Sequence, residues 1–166
     1  GLESRNQAKT FIYALLYGAG DRKLGSVVGG SASSGKALRR HFFDNLPAFR
    51  TLRDNVTRAA GRGFLKGLDG RKIFVRSEHA ALNTLLQSAG ALVMKQALVL
   101  YDQGLTCDAA FVANVHDEWQ LEAHESCAKE VGELGVECIR KAGEVFELVC
   151  PLDGEYKIGG NWSETH

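Results

Sequence analysis

The opening stretch RNQAKTFIYALLYG sets Arg5, Lys9, Tyr13 and Tyr17 four residues apart. In an α-helix, four residues turn by about 400° and rise about 6 Å, so these side chains would form one slowly winding stripe roughly 18 Å long. Two cations at one end and two rings at the other match the length and polarity of a nucleoside triphosphate. Phosphates would meet Arg5 and Lys9, with sugar and base along Tyr13 and Tyr17. Arginine grips an oxygen pair with its planar fork, whereas lysine holds one oxygen and can also give up a proton. Lys9 is therefore a candidate general acid for a leaving pyrophosphate. The same spacing also suits an amphipathic helix whose cations snorkel and whose tyrosines pack on a core.

A second group, His116-Asp117-Glu118, stands between two apolar runs in AFVANVHDEWQLEA. A carboxylate on a stiff hairpin is a good magnesium ligand, because Mg²⁺ in phosphoryl-transfer sites takes one or two protein carboxylates and completes its shell with phosphates and water. A plain polar turn would use the same letters. His-Asp also occurs in metal phosphohydrolases, but those need further histidines from helices, and His41, His79, His124 and His166 show no such pattern.

A third stretch, GSASSGKA over residues 30–37, has the G-x-x-x-x-G-K spacing of a phosphate-binding loop. That loop needs a hydroxyl after the lysine for Mg²⁺ and a buried strand leading into it. Ala37 fills the hydroxyl position, and Leu24–Val28 offers at most a five-residue strand. A Ser/Gly-rich connector before a helix over 36–45 explains these residues instead.

The elements needed to position these groups are legible in the 166 residues. Helices are expected over 4–16, 21–29 and 36–45, and from Pro47 to about Ala60, where Phe49, Leu52, Val56 and Ala60 form an apolar stripe. A hairpin is expected over 62–75, with Asp69-Gly70 as the turn signal. Residues 78–103 have the longest helical period, residues 110–123 read as a second hairpin, and 126–146 as an amphipathic helix. One or two short strands are expected in the tail 147–162. The order of elements is α+β.

Twenty basic residues balance twenty acidic ones, so a polyanion site must be a local patch. The basic residues do cluster, over 5–9, 22–23, 36–40 and 50–76, while acids concentrate over 117–155. Cys107, Cys127, Cys138 and Cys150 include no C-x-x-C pair, which fits reduced thiols better than zinc or a disulfide framework. With no charged-then-apolar leader and no apolar run near 18 residues, the expectation is a cytoplasmic protein with no membrane partner.

Taken together, the two main groups resemble motifs of family A DNA polymerases, with short-tailed bacteriophage replicative enzymes the nearest type. RNQAKTFIYALLYG is similar to motif B, R-x-x-x-K-x-x-x-[FY]-x-x-x-Y-G, the incoming-nucleotide helix of the fingers. VHDE is similar to motif C, the palm hairpin. GLDGRKIFVRSEHAALNTLLQSAGALVMKQAL resembles the palm hairpin and the long helix behind the site, and GGNWSETH resembles the family's C-terminus. The resemblance implies fingers helices over 1–61 and a partial palm over 62–166: hairpin 62–75, long helix 78–103, motif C hairpin 110–123, then helix and tail 126–166.

Residue by residue, the resemblance implies that Arg5 and Lys9 bind the incoming triphosphate and that Lys9 protonates the leaving group. Tyr13 would lie by the sugar and base, where a tyrosine rather than phenylalanine goes with ready acceptance of dideoxynucleotides. Tyr17 and Gly18 would close the template side of the new pair. Asp117 would ligate the catalytic Mg²⁺ ions, with Glu118 a less essential carboxylate and His116 at the primer end. Asn83 and Gln87 would contact the duplex minor groove, as would His79, where some cellular members carry arginine.

Two-metal transfer needs a carboxylate on each side of the ion pair, and the family takes the other from motif A, upstream of motif B. Apart from Asp117, no aspartate here closes an apolar strand in that context. The expectation is thus a polymerase segment lacking the motif A strand. Its partners would be primer-template DNA, deoxynucleoside triphosphates and the upstream portion carrying motif A, or a second copy paired through the exposed palm edge. The alternative is a catalytically silent nucleotide- or DNA-binding module.

Overall fold

A computed structural model describes residues 2–165. The chain forms two compact units, meeting in sequence between Ser88 and Ala89. The class is α+β, as expected: helices predominate, and the only sheets among the described residues are two antiparallel hairpins.

In the first unit, α1 (Arg5–Leu16) starts at Ser4, whose Oγ accepts from the Gln7 N–H at 3.2 Å, while the Gln7 side chain accepts from the Glu3 N–H at 2.8 Å. The first bond satisfies a donor that the opening helical turn leaves unpaired, and the second ties the preceding residue back onto that turn. Then come α2 (Asp21–Ser26), α3 (Ala32–Asn45) and α4 (Pro47–Ala60), the last opening on a proline at N1. Phe11 of α1, Phe42 and Phe43 of α3 and Phe49 of α4 pack ring to ring with centroids 5.6–6.0 Å apart. Such pairs add about 0.5–1.5 kcal/mol each beyond their burial. This cluster ties α1, α3 and α4 together.

The helix expected over 21–29 forms as α2, with Val27 as its cap, so no strand leads into a phosphate loop. One expectation is corrected: GSASSGKA is not a connector throughout, because α3 begins at Ala32 and contains Gly35. The reason is a close crossing of α2 and α3. A Cβ on Gly25 would lie 1.9 Å from the Ser31 carbonyl oxygen, and one on Gly35 would lie 1.9 Å from that of Asp21. Arg39 closes the same corner, reaching Asp21 Oδ1 at 3.0 Å and the Ala19 carbonyl at 2.8 Å. The glycines here serve backbone contact.

Strands β1 (Phe64–Lys66) and β2 (Lys72–Phe74) pair with Phe64 opposite Phe74. Leu65 is buried with Val56, Ala60, Ala81 and Leu82, joining the hairpin to α4 and the start of α5 (Ala81–Gly104). A single 3-10 turn over Glu78–Ala80 precedes α5.

The second unit holds the rest of α5, β3 (Ala109–Val115), β4 (Glu118–Ala123), α6 (Ala128–Val145) and α7 (Trp162–Thr165). Val93 and Ala97 of α5 are buried with Ala142 of α6, and Tyr101 with Val131 and Cys138. The expected tail strands do not form: among the described residues, 147–161 holds no strand. The tail is instead seated by side chains along α6. A Cβ on Gly143 would meet Leu152 at 3.0 Å, and one on Gly132 would meet the Tyr156 ring at 2.2 Å. No described helix is long and apolar enough to cross a membrane.

Candidate functional site

In the first unit the stripe is at the surface. Arg5 and Lys9 are exposed, and Tyr13 and Tyr17 leave 51% and 57% of their area open. Phe11 is 1% exposed and carries the helix's core contact. The tyrosines therefore do not pack into a core, which was the competing reading of their spacing. The Lys9 ammonium stands 5.9 Å from the Tyr13 ring centroid, within cation–π range.

Tyr17 caps α1, and Gly18 turns the chain with φ +76°. A Cβ on Gly18 would also fall 2.4 Å from the His79 carbonyl oxygen. Glycine is required twice over, by the left-handed backbone and by the close approach. The Tyr17–Gly18 turn is thus packed on the 3-10 turn that opens α5. From there His79, Asn83 and Gln87 are spaced at four-residue intervals, the first and last exposed and Asn83 half-buried.

In the second unit, Val115 pairs with Glu118, leaving His116-Asp117 as a two-residue turn. His116 takes φ +55°, the left-handed conformation such tight hairpins need. Glu118 is therefore the first residue of β4 rather than part of the bend, a correction to its expected place. Val112 is the bulged residue on β3, between the pairs Phe111–Leu121 and Ala113–Gln120. A bulge bends its hairpin and re-aims the residues beyond it, here the strand end that carries the turn.

Asp117 is exposed at the turn, while Glu118 is half-buried and held. Glu118 Oε1 accepts from the Trp162 indole N–H at 3.1 Å and from the Gln120 side-chain amide. Gln120 Oε1 in turn accepts from the Thr165 hydroxyl at 3.3 Å. No cluster of three metal-ligating side chains occurs among the described residues. The donors present fit a magnesium ion that takes most of its shell from phosphates, water and a further carboxylate. They do not form an all-protein cage. Gln120, Trp162 and Thr165 were not foreseen as part of this group. GGNWSETH stood out in the sequence only as a resemblance, with no partner attached to it.

Residues 2–164 match the family model described as DNA polymerase family A. The chain is 44% identical to the DNA-directed DNA polymerase of Escherichia phage Phieco32, covering 100% of this chain and 29% of that protein. It is 43% identical to that of Escherichia phage T7, covering 99% and 27%. DNA polymerase I of Aquifex aeolicus is 32% identical over 98% of this chain and 30% of its own length. Among solved structures, the polymerase domain of Pol1 from M. smegmatis, in complex with DNA primer-template and dNTP, matches with a TM-score of 0.74. That match has 25% identity and covers 83% of this chain and 27% of the other. The chain thus spans less than a third of the length of these relatives. With the R-x-x-x-K-x-x-x-Y-x-x-x-Y-G helix and the VHDE hairpin both in place, the chain belongs to DNA polymerase family A.

Proposed function

We propose that this chain is the portion of a DNA-directed DNA polymerase that binds the incoming deoxynucleoside triphosphate and supplies one side of the metal site. Residues 1–61 act as fingers and 62–166 as part of the palm. The observation that carries this reading is the exposed cation-then-tyrosine face of α1, in a chain 43–44% identical to phage DNA-directed DNA polymerases.

Arg5 and Lys9 hold the triphosphate oxygens, and Tyr13 bounds the sugar and base. As the primer 3′-oxygen bonds to the α-phosphorus and the bond to pyrophosphate breaks, Lys9 passes its proton to the departing oxygen. Tyr17 and Gly18 close the template side of the pair. Packing of their turn on His79 ties that boundary to α5, and His79 in the turn before it tracks the duplex minor groove with Asn83 and Gln87. His116 meets the primer end. Asp117 would hold magnesium, with Glu118 beside it; the ion, when bound, supplies charge neutralisation on the phosphates and a lower pKa for the attacking hydroxyl.

The opposing carboxylate comes from a segment carrying motif A, outside these residues, so the chain alone does not extend a primer. Exposed Val112 and Val115 on β3, at 66% and 44%, support pairing with that segment, or with a second copy when it is absent. The work would take place in the cytoplasm of a bacterial host.

Primer extension tests this. The chain with Mg²⁺, primer-template and four nucleotides should be inactive, the upstream polymerase portion should restore synthesis, and Asp117→Ala should abolish the restored activity. Extension by the chain alone would overturn the account of the missing carboxylate. Nucleotide and duplex binding without restored synthesis would favour the silent binding module.

A further inference from the structure

We propose that Trp162 is a positioning residue for the Glu118 carboxylate, and that residues 152–165 form a strap whose docking sets how that carboxylate is presented. This rests on the reading of Glu118 as part of the metal site.

The strap is fastened at two ends. Near its start, Leu152 and Tyr156 lie over Gly143 and Gly132 of α6, with no room at Gly132 for even a methyl group. At its far end α7 meets β4 on alternate residues of one face. Trp162 donates to Glu118 at 3.1 Å, and Thr165 donates to Gln120, which itself donates to Glu118. Glu164 braces this end internally, accepting from the Gly160 N–H at 2.8 Å and the Asn161 side-chain amide at 2.6 Å.

Two features argue against Trp162 as simple packing. Trp162 is 48% exposed, so it buries far less than a core tryptophan. Between strap, β4 and α6 lies a groove of about 800 Å³. Directed hydrogen bonds reach from α7 to β4, and their target is a carboxylate one residue from the hairpin's exposed aspartate. A glutamate side chain turns about three bonds, and two donors on one oxygen remove much of that freedom. Partners of this kind, behind a metal-site carboxylate, typically matter tenfold or more for metal affinity or activity.

The test uses the chain complemented with the upstream polymerase portion, with primer-template and nucleotide bound. Mn²⁺ affinity is read from the EPR signal of free Mn²⁺, beside the midpoint of a Mg²⁺ titration of primer extension. Trp162→Phe keeps a ring but removes the N–H. It should weaken Mn²⁺ binding and raise the Mg²⁺ midpoint by roughly tenfold, leaving KM for primer-template and the melting temperature in place. In a Glu118→Ala background the same substitution should add nothing. Gly132→Ala, which displaces Tyr156 at the opposite end of the strap, should shift both readouts in the same direction. Unchanged metal readouts in Trp162→Phe, or an equal shift without Glu118, would overturn the proposal. If Glu118→Ala itself leaves both readouts unmoved, the metal-site reading of Glu118 has failed instead.

Discussion

The hydroxyl of Tyr101, on α5, donates to the Val131 carbonyl of α6 at 2.6 Å, in a pocket where the ring is 3% exposed. This bond staples the two helices that back the β3–β4 hairpin. Phe111 and Trp119 of that hairpin pack against the same ring, with centroids 5.3 and 5.4 Å away. The stability of the hairpin's base therefore passes through one phenol.

Burial, with the Cys138 and Cys107 thiols behind it, pushes the Tyr101 hydroxyl up to about 12. A pKa raised above its unfolded value of about 10 stabilises the fold fully below pH 10, and that contribution is lost as pH rises through 12. Tyr101→Phe should cost about 0.5–1.5 kcal/mol at pH 8, by removing a second hydrogen bond from a carbonyl that lies inside α6. The gap between the two proteins should narrow toward pH 12. Urea unfolding at pH 8 and 11.5 measures both; a gap that does not shrink contradicts the assignment.

Gly35→Ala sets two effects against each other. Alanine favours a helix over glycine by about 1 kcal/mol, but the new methyl would sit 1.9 Å from the Asp21 carbonyl and 2.6 Å from the Gly25 nitrogen. Both are backbone atoms, which cannot rotate away. Overpacking of about 1–3 kcal/mol should win, seen as a lower urea midpoint for the first unit. Lys36→Ala, by contrast, should leave nucleotide binding unchanged, because Lys36 lies within α3 and Ala37 after it offers no hydroxyl for Mg²⁺.

Arg5→Ala and Lys9→Ala should separate kinetically in the complemented enzyme. Loss of Arg5 removes ground-state grip and should raise KM for the nucleotide. Loss of Lys9 also removes a proton donor and should lower kcat by about 10²–10⁴. Equal effects of both on KM alone would leave Lys9 with a binding role only, and single-turnover rates would show which.

Tyr13→Phe should leave normal nucleotide incorporation nearly intact and reduce incorporation of dideoxynucleotides relative to it. The ring survives, and only the exposed hydroxyl is removed. Competition of the two substrates on one primer gives the ratio directly. An unchanged ratio would remove Tyr13 from the sugar side of the site.

Much of the architecture was readable from local order. The period of residues 78–103, proline at the head of Pro47–Ala60, and glycine after Tyr17 are signals carried within one turn of chain, and each element formed where it was expected. The cation-and-tyrosine stripe was equally visible, since residues four apart share a helix face whatever surrounds them. Its exposure was not, because spacing does not say which face meets the core. That was decided by the ring cluster joining Phe11 to Phe42.

Other features exist only through contact at a distance. Gly35 reads as part of a connector, and Gly25 as an ordinary helical position, until α2 and α3 cross and leave no space for a Cβ at either. The tail's Tyr156 and Ile158 alternate like a strand, yet it is seated by side chains over the glycines of α6 rather than by a hydrogen-bonded ladder. Glu118 reads as a turn residue, but the register Val115–Glu118 makes it a strand residue, and Trp162 reaches it from 44 positions away. Periodicity and capping are set by neighbours within a few residues and so are written in the sequence. Register, helix crossings and the hold on Glu118 depend on which surfaces meet after folding, and only the tertiary structure decides that.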